Sequence, residues 1–315
     1  MGGKRITRLR QQALAHYGEL LNDYITWLYD FRNSSEETIK KHRRYITIFL
    51  NWVSYSLHLK KVSLLSHGEV ERFFLKYSDT HEFPSREQMQ SALRVFLRFC
   101  NKEGYTERDL SIAVPTLRTY KLAKIPQVIS KDDIKKVLET IDRTTKSGRR
   151  DYAIILLLTT YGVRSKQIRK LRLSDIDWRK NTIYFSSMKF GKGVLQPLLP
   201  DVGEALLDYL QNSRRPCSCP EVFIKVLGAC KPIGCSSTVS NIIERRALDA
   251  GVTFPKMGPH VFRHEFATRM LERGHSLKSL ADMLGHRCLQ TTYIYTKVDF
   301  QHLSDVPLDW PENKS

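Results

Sequence analysis

The chain has 315 residues, with 51 Lys and Arg against 33 Asp and Glu, a formal net charge of +18 at pH 7, and 41% hydrophobic residues. That composition excludes a disordered chain, and the surplus of positive charge points to a polyanion, with DNA or RNA ahead of an anionic membrane because no basic amphipathic anchor is visible. The longest clean apolar run, Ala153 to Leu158, falls far short of the roughly 18 residues of a membrane span, so neither insertion nor secretion is expected.

At roughly 100 to 200 residues per domain the length predicts two domains. The first reads as helices with start signals of a hydroxyl three residues before Glu or Gln, at Ser34 to Glu37, Ser66 to Glu69 and Ser85 to Gln88. Ile39, Ile46, Phe49, Leu50 and Val53 recur at helical spacing after the first signal, and Ala92, Val95, Phe96 and Phe99 after the last. Opposite the first apolar stripe stand Lys40, Lys41, Arg43 and Arg44, which suit a solvated face or one laid against DNA.

Between Ile112 and Ser130 the periodicity stops, Pro115 and Pro126 interrupt it, and Arg118, Lys121 and Lys124 are spaced along it, as in an interdomain linker. Ser130 to Asp133 opens the second domain, whose nearly all-apolar helix from Tyr152 to Tyr161 predicts a central position. Alternating stretches at Asn181–Ser186 and Val194–Leu199 flank the turn Phe190-Gly191-Lys192-Gly193 and predict a small antiparallel sheet. From Val202 onward the pattern is helical again, and the end is polar.

Six cysteines are too few for a disulfide scaffold, and reduced thiols in a cytoplasmic protein are expected. Cys217, Cys219, Cys230 and Cys235 cluster, but as C-x-C and C-x4-C, which is irregular for a zinc site; incidental loop thiols and no metal are expected. There is no P-loop, HExxH, GxSxG or paired-carboxylate metal signature, so nucleotide hydrolysis and metal-assisted nuclease chemistry have no support and no cofactor is expected.

What remains are phosphate-handling groups. Gly258-Pro259-His260-Val261-Phe262-Arg263 starts a helix on which His260 and Arg263, three apart, share a face. Leu284-Gly285-His286 ends another, and Thr291 to Thr296 contains Tyr293 and Tyr295. Together with Gly162-Val163-Arg164 and a hairpin lysine, this order resembles the tyrosine recombinase (phage integrase) family: Arg164, Lys189, His260-x-x-Arg263, Leu284-Gly285-His286, and Tyr295 nine residues after His286. The similarity covers the second domain. Lys189 matches the family's lysine because Pro197-Leu198 closes the hairpin eight residues on, with Lys192 as the fallback. One position departs: the family usually reads Gly-Leu-Arg-x-Ser-Glu-Leu, with an acid supporting the neighbouring groups, and here Gln167 stands in its place.

The residue types suit the chemistry. Tyrosine, with an ordinary pKa of about 10, attacks a phosphodiester only if a base takes its proton, and His260 can serve. Two guanidiniums, Arg164 and Arg263, can stabilise charge on the non-bridging oxygens, with His286 as a further donor. The resemblance assigns protonation of the leaving 5′-oxygen to Lys189. Tyr293 competes with Tyr295, but two residues on a helix are turned by about 200°, so only one of them faces the phosphate.

The resemblance implies a mainly α fold with a small antiparallel β-sheet: a helical core-binding domain over 1–111, a basic linker over 112–129, and a catalytic domain over 130–315 that ends in a tail. It implies a site-specific recombinase acting on double-stranded DNA recombination sites through a 3′-phosphotyrosine and a Holliday junction. The expected assembly is a homotetramer, with a possible accessory directionality factor and no membrane partner. Integration, excision or transposition of a mobile element leads; chromosome-dimer resolution, a type IB topoisomerase-like relaxing enzyme and a silent DNA-binding regulator are the alternatives. The tail after Lys297 carries Phe300, Leu303, Val306, Leu308 and Trp310, which the resemblance would pack on a neighbouring protomer and which could also fold back on their own domain.

Overall fold

The structure is a computed structural model that describes residues 17–59, 61–117, 129–186, 193–253, 258–285 and 292. The chain divides into two compact units, 1–120 and 121–315. Its described part is helical with one three-stranded antiparallel sheet.

In the first unit, α1 (17–30), α2 (Glu36–Ser56), α3 (His67–Thr80) and α4 (Phe83–Lys102) surround an aromatic core. Tyr45, Ile46, Phe49, Leu50 and Val53 form the buried stripe of α2, the spacing that turns one helical face inward. Phe49 meets Phe73 edge-on at 4.9 Å and Tyr24 meets Phe96 at 5.1 Å between ring centroids. The Tyr24 hydroxyl hydrogen-bonds His42 Nδ1 at 2.6 Å, which pins α1 to α2 inside an otherwise apolar contact. Ser66 and Glu69 form the expected capping box: the Ser66 amide donates to Glu69 Oε2 at 2.8 Å, and the Glu69 amide to Ser66 Oγ at 3.3 Å.

Two of the start signals are displaced. Ser35, not Ser34, caps α2 by accepting from the Thr38 amide at 3.3 Å. Helix α4 begins at Phe83 with Pro84 in its first turn, so Ser85 lies inside the helix; proline is pre-set for that turn because it lacks the amide that would go unpaired there. The stretch expected as linker starts with residues packed on this first unit. A 3₁₀ turn, Leu110–Ala113, buries Leu110, Val114 is also buried in the core, and Leu117 packs partly against it. Arg118, Lys121 and Lys124 lie outside the described residues.

In the second unit, α5 (Lys131–Thr140) starts at Ser130, whose Oγ accepts from the Asp133 amide at 3.0 Å as expected. The central helix α6 (Lys146–Tyr161) begins six residues before the apolar run, because Thr145 caps it by accepting from the Gly148 amide at 3.0 Å. Ala153, Ile154, Ile155, Leu157 and Leu158 are all buried. After the short α7 (Ser165–Lys170) come β1 (Ile176–Asp177), β2 (Thr182–Phe185) and β3 (Val194–Pro197), paired in that order with Ile183 opposite Gln196 and Phe185 opposite Val194. The sequence reading missed β1, which is too short to show an alternating pattern. Four further helices follow among the described residues: α8 (Pro200–Asn212), α9 (Ser236–Asp249), α10 (Pro259–Glu272) and α11 (Leu277–Leu284).

A buried ion cluster locks α6 to α9. Asp151, fully buried, accepts from Arg150 at 2.7 Å, from Arg245 at 2.6 Å and from Arg246 at 2.8 Å. A lone carboxylate there would be expensive; three guanidiniums share the cost of its desolvation.

Candidate active site

Three helix ends surround the described candidate residues Arg164, His260 and Arg263. Helix α6 stops at Gly162, whose φ of +58° is left-handed, and the chain passes through buried Val163 to Arg164 at the start of α7. A β-carbon on Gly162 would stand 2.7 Å from the Phe266 ring of α10, so both the backbone twist and the close helix contact require glycine there. Helix α11 ends the same way at Gly285, with φ of +62°, directly before His286. Pro259 sits in the first turn of α10 and is followed by His260, so the histidine opens that helix.

Arg263 is the link between these ends. It is only 4% exposed, and its guanidinium donates from Nη1 to the Gly162 carbonyl at 2.8 Å and from Nη2 to the Leu284 carbonyl at 2.9 Å. Both acceptors stand two residues before a candidate catalytic group, Arg164 on one side and His286 on the other. Two of its five donors are thereby committed to architecture, a role the sequence reading did not give it.

His260 is electrostatically coupled to both arginines. Desolvation by the surrounding protein pushes it below the usual imidazole range, and the positive charges of Arg263 and then Arg164 push it further. The ring is therefore neutral near pH 7, the form that can accept a proton. His264, one residue before the buried Glu265, is lowered first by burial and then by His260 and Arg263.

Gln167 belongs to the same assembly. It is buried on α7; its Oε1 accepts from the Arg164 amide at 2.9 Å, and its Nε2 donates to the Ser186 carbonyl, just past β2, at 3.3 Å. The other strand of the hairpin is held separately, since the Tyr161 hydroxyl donates to the Pro197 carbonyl at 2.8 Å and accepts from the Leu199 amide at 3.2 Å. The hairpin also touches the helix that precedes His286, Gln196 Nε2 donating to the Met283 carbonyl at 3.5 Å. The only sequence signal for Gln167 was its departure from an acid.

Of the six candidate catalytic residues, the structure brings Arg164, His260 and Arg263 together; Lys189, His286 and Tyr295, with the alternatives Lys192 and Tyr293, lie outside the described residues. Thr292, close in sequence to both tyrosines, is described and fully buried. Lys40, Lys41, Arg43 and Arg44 are exposed on α2. Cys219 Sγ donates to the Cys230 carbonyl at 3.6 Å, the neighbouring Cys230 and then Cys219 hold the Cys217 thiol below its usual range, and Cys235 meets Ser237 Oγ at 2.9 Å. Among the described residues no group of three or more His, Cys, Asp or Glu is arranged to hold a metal ion. No described helix is long and apolar enough to cross a membrane.

Known proteins resemble this chain in sequence and in fold. Residues 127–302 match the phage integrase family. A protein described provisionally as an integrase/recombinase, y4rA of Sinorhizobium fredii, is 37% identical over 294 residues, which span 91% of this chain and 70% of that protein. Tyrosine recombinase XerC of Oceanobacillus iheyensis is 31% identical over 297 residues, 90% of this chain and 93% of its own. A solved structure of the XerH site-specific recombinase, in a post-cleavage complex with a palindromic difH substrate, shares the fold with a TM-score of 0.70 at 20% identity, over 87% of this chain and 80% of its own. The chain belongs to the phage integrase family, the tyrosine recombinases, which are site-specific DNA cleaving and rejoining enzymes.

Proposed function

We propose that the chain recombines two specific DNA sites through a 3′-phosphotyrosyl intermediate on Tyr295, in the service of a mobile element. The observation that carries the reading is the coupling of a neutral-leaning His260 to two guanidiniums, Arg263 and Arg164. His260 takes the Tyr295 proton as the phenol oxygen attacks the phosphorus. Arg164, Arg263 and His286 stabilise the charge that grows on the non-bridging oxygens. Lys189 gives a proton to the departing 5′-oxygen. The phosphodiester is exchanged for a phosphotyrosyl ester rather than hydrolysed, so the 5′-hydroxyl of a second duplex can reverse the step without ATP.

Stoichiometry sets the assembly. A crossover between two duplexes cuts four strands and a chain with one nucleophile cuts one, which favours a homotetramer; exchange of one pair of strands before the other then gives a Holliday junction. Lys40, Lys41, Arg43 and Arg44 on α2, and Lys121 and Lys124 beyond the first unit, supply phosphate contacts, which position without reading sequence.

The mobile-element role is supported by the higher identity to an integrase/recombinase than to XerC, and by Gln167 at the position usually held by an acid. Chromosome-dimer resolution is the second reading, favoured by a XerC relative matched over nearly its whole length. The test is a supercoiled plasmid carrying two copies of the DNA that flanks the gene. Excision or inversion dependent on those copies, with paired inverted repeats at the crossover, is expected. Relaxation of any plasmid would make the enzyme topoisomerase-like, and DNA binding without a covalent adduct would make it a regulator.

A further inference from the structure

We propose that the loop between α8 and α9 carries a peroxide-sensitive dithiol, in which Cys217 is oxidised and Cys230 closes on it as an intramolecular disulfide.

The loop holds the two sulfurs in one place by backbone bonding. Cys217 and Cys219 stand on its first arm, which is fixed to the segment after α7: the Leu173 amide donates to the Pro220 carbonyl at 2.9 Å and the Val222 amide to the Leu171 carbonyl at 2.8 Å. Cys230 stands on a hairpin that folds back, with Ile224 bridged to Pro232, the Lys225 amide donating to the Lys231 carbonyl at 2.9 Å, and Gly228 left-handed at φ of +77°. Two arginines staple both parts. Arg214 donates to the carbonyls of Cys219 at 2.6 Å, Glu221 at 3.0 Å and Val222 at 3.1 Å. Arg215 donates to those of Lys225 at 3.2 Å and Gly228 at 3.0 Å. The arms meet where Cys219 Sγ donates to the Cys230 carbonyl at 3.6 Å.

The thiols so gathered are unequal. Cys217 is held below the usual thiol range first by the facing Cys230, and further by the Cys219 backbone and Arg214. Cys230 is pushed up, first by Cys217 and then by burial. Cys217 is therefore the thiolate of the pair, and Cys230 keeps its proton until it is needed. Cys219 is raised by burial and turns its own hydrogen to the Cys230 carbonyl. All three are partly exposed, whereas Cys100 is buried in the first unit.

The chemistry closes with hydrogen peroxide as the oxidant. The Cys217 thiolate attacks one peroxide oxygen; the S–O bond forms as the O–O bond breaks, and the departing hydroxide takes a proton to become water. Cys230 then attacks the Cys217 sulfur of the sulfenic acid. The S–S bond forms as the S–O bond breaks, and the Cys230 proton leaves with the hydroxide as a second water. Two thiols are oxidised by one peroxide, and a reducing thiol restores them. Arg164, His260 and Arg263 take no part.

The experiment treats the reduced full-length chain with hydrogen peroxide, alkylates the remaining thiols, cuts the loop with protease and maps the sulfurs by mass spectrometry. Expected is a Cys217–Cys230 cross-link within one chain, lost on dithiothreitol treatment, lost in Cys217→Ser and Cys230→Ser, and kept in Cys219→Ser and Cys235→Ser. In Cys230→Ser a sulfenic acid on Cys217 should be trapped by dimedone. Fragment ions of the wild-type peptides decide alone if a serine variant fails to fold. A cross-link to Cys219 or Cys235 in place of Cys230, cross-links only between copies, or thiols that stay alkylatable would overturn the proposal. So would an equal rate and yield of the same cross-link in the urea-unfolded chain, because the folded loop would then contribute nothing.

Discussion

His260 behaves unlike a solvated histidine because its surroundings penalise the cation three times over, by desolvation, by Arg263 and by Arg164. A base must be neutral to work, and a lowered pKa extends the neutral form to lower pH. The rate of DNA cleavage should therefore hold as pH falls through 6.5 and decline only below it. A pH–rate profile of single-turnover cleavage checks this, and a decline centred at or above 6.5 would detach His260 from the base role. Arg263 teaches a related lesson. Its three-residue spacing from His260 is visible in the sequence, whereas its bonds to Gly162 and Leu284, 101 and 21 residues away, are not.

At the scale of elements, hydrophobic periodicity predicted the helices well and their ends less well. The α2 stripe and the all-apolar α6 were legible because burial writes itself into spacing. The start of α6 was not, since Arg149 and Asp151 near it carry charges that the fold pairs with Asp208, Arg245 and Arg246, far along the chain. Asp151 shows the limit: its partners Arg245 and Arg246 lie 94 and 95 residues away, and nothing local announces them. Replacing Asp151 with Ala leaves three guanidiniums crowded between α6 and α9 with no counter-charge. The expected loss is roughly 3–5 kcal/mol of unfolding free energy, read from urea denaturation. A loss under about 1 kcal/mol, the size of an exposed pair, would mean that the cluster contributes little to the α6–α9 contact.

For the whole molecule, the order of motifs along the chain carried more information than any single one. Arg164, the His260–Arg263 pair and the Leu284-Gly285 helix end lie far apart in sequence, and the fold collects them by ending α6 and α11 at left-handed glycines beside α10. The link through Gln167 was beyond reach of the sequence because it depends on where β2 ends relative to α7. The net charge of +18 carries its own expectation. A protein that binds duplex DNA mainly through phosphates should lose roughly a thousandfold or more in affinity between about 50 and 200 mM salt. A salt titration of binding to a single site measures this, and a flat response would remove phosphate neutralisation as the source of affinity.

The central claim is that Tyr295 becomes joined to a DNA 3′-phosphate. The direct measurement traps the covalent complex on a nicked substrate, digests it with protease and nuclease, and identifies the modified residue by mass spectrometry. The account predicts a 3′-phosphonucleotide on Tyr295, with the adduct lost in Tyr295→Phe and kept in Tyr293→Phe. Attachment at Tyr293, attachment to a 5′-phosphate, or an adduct that survives Tyr295→Phe would contradict it.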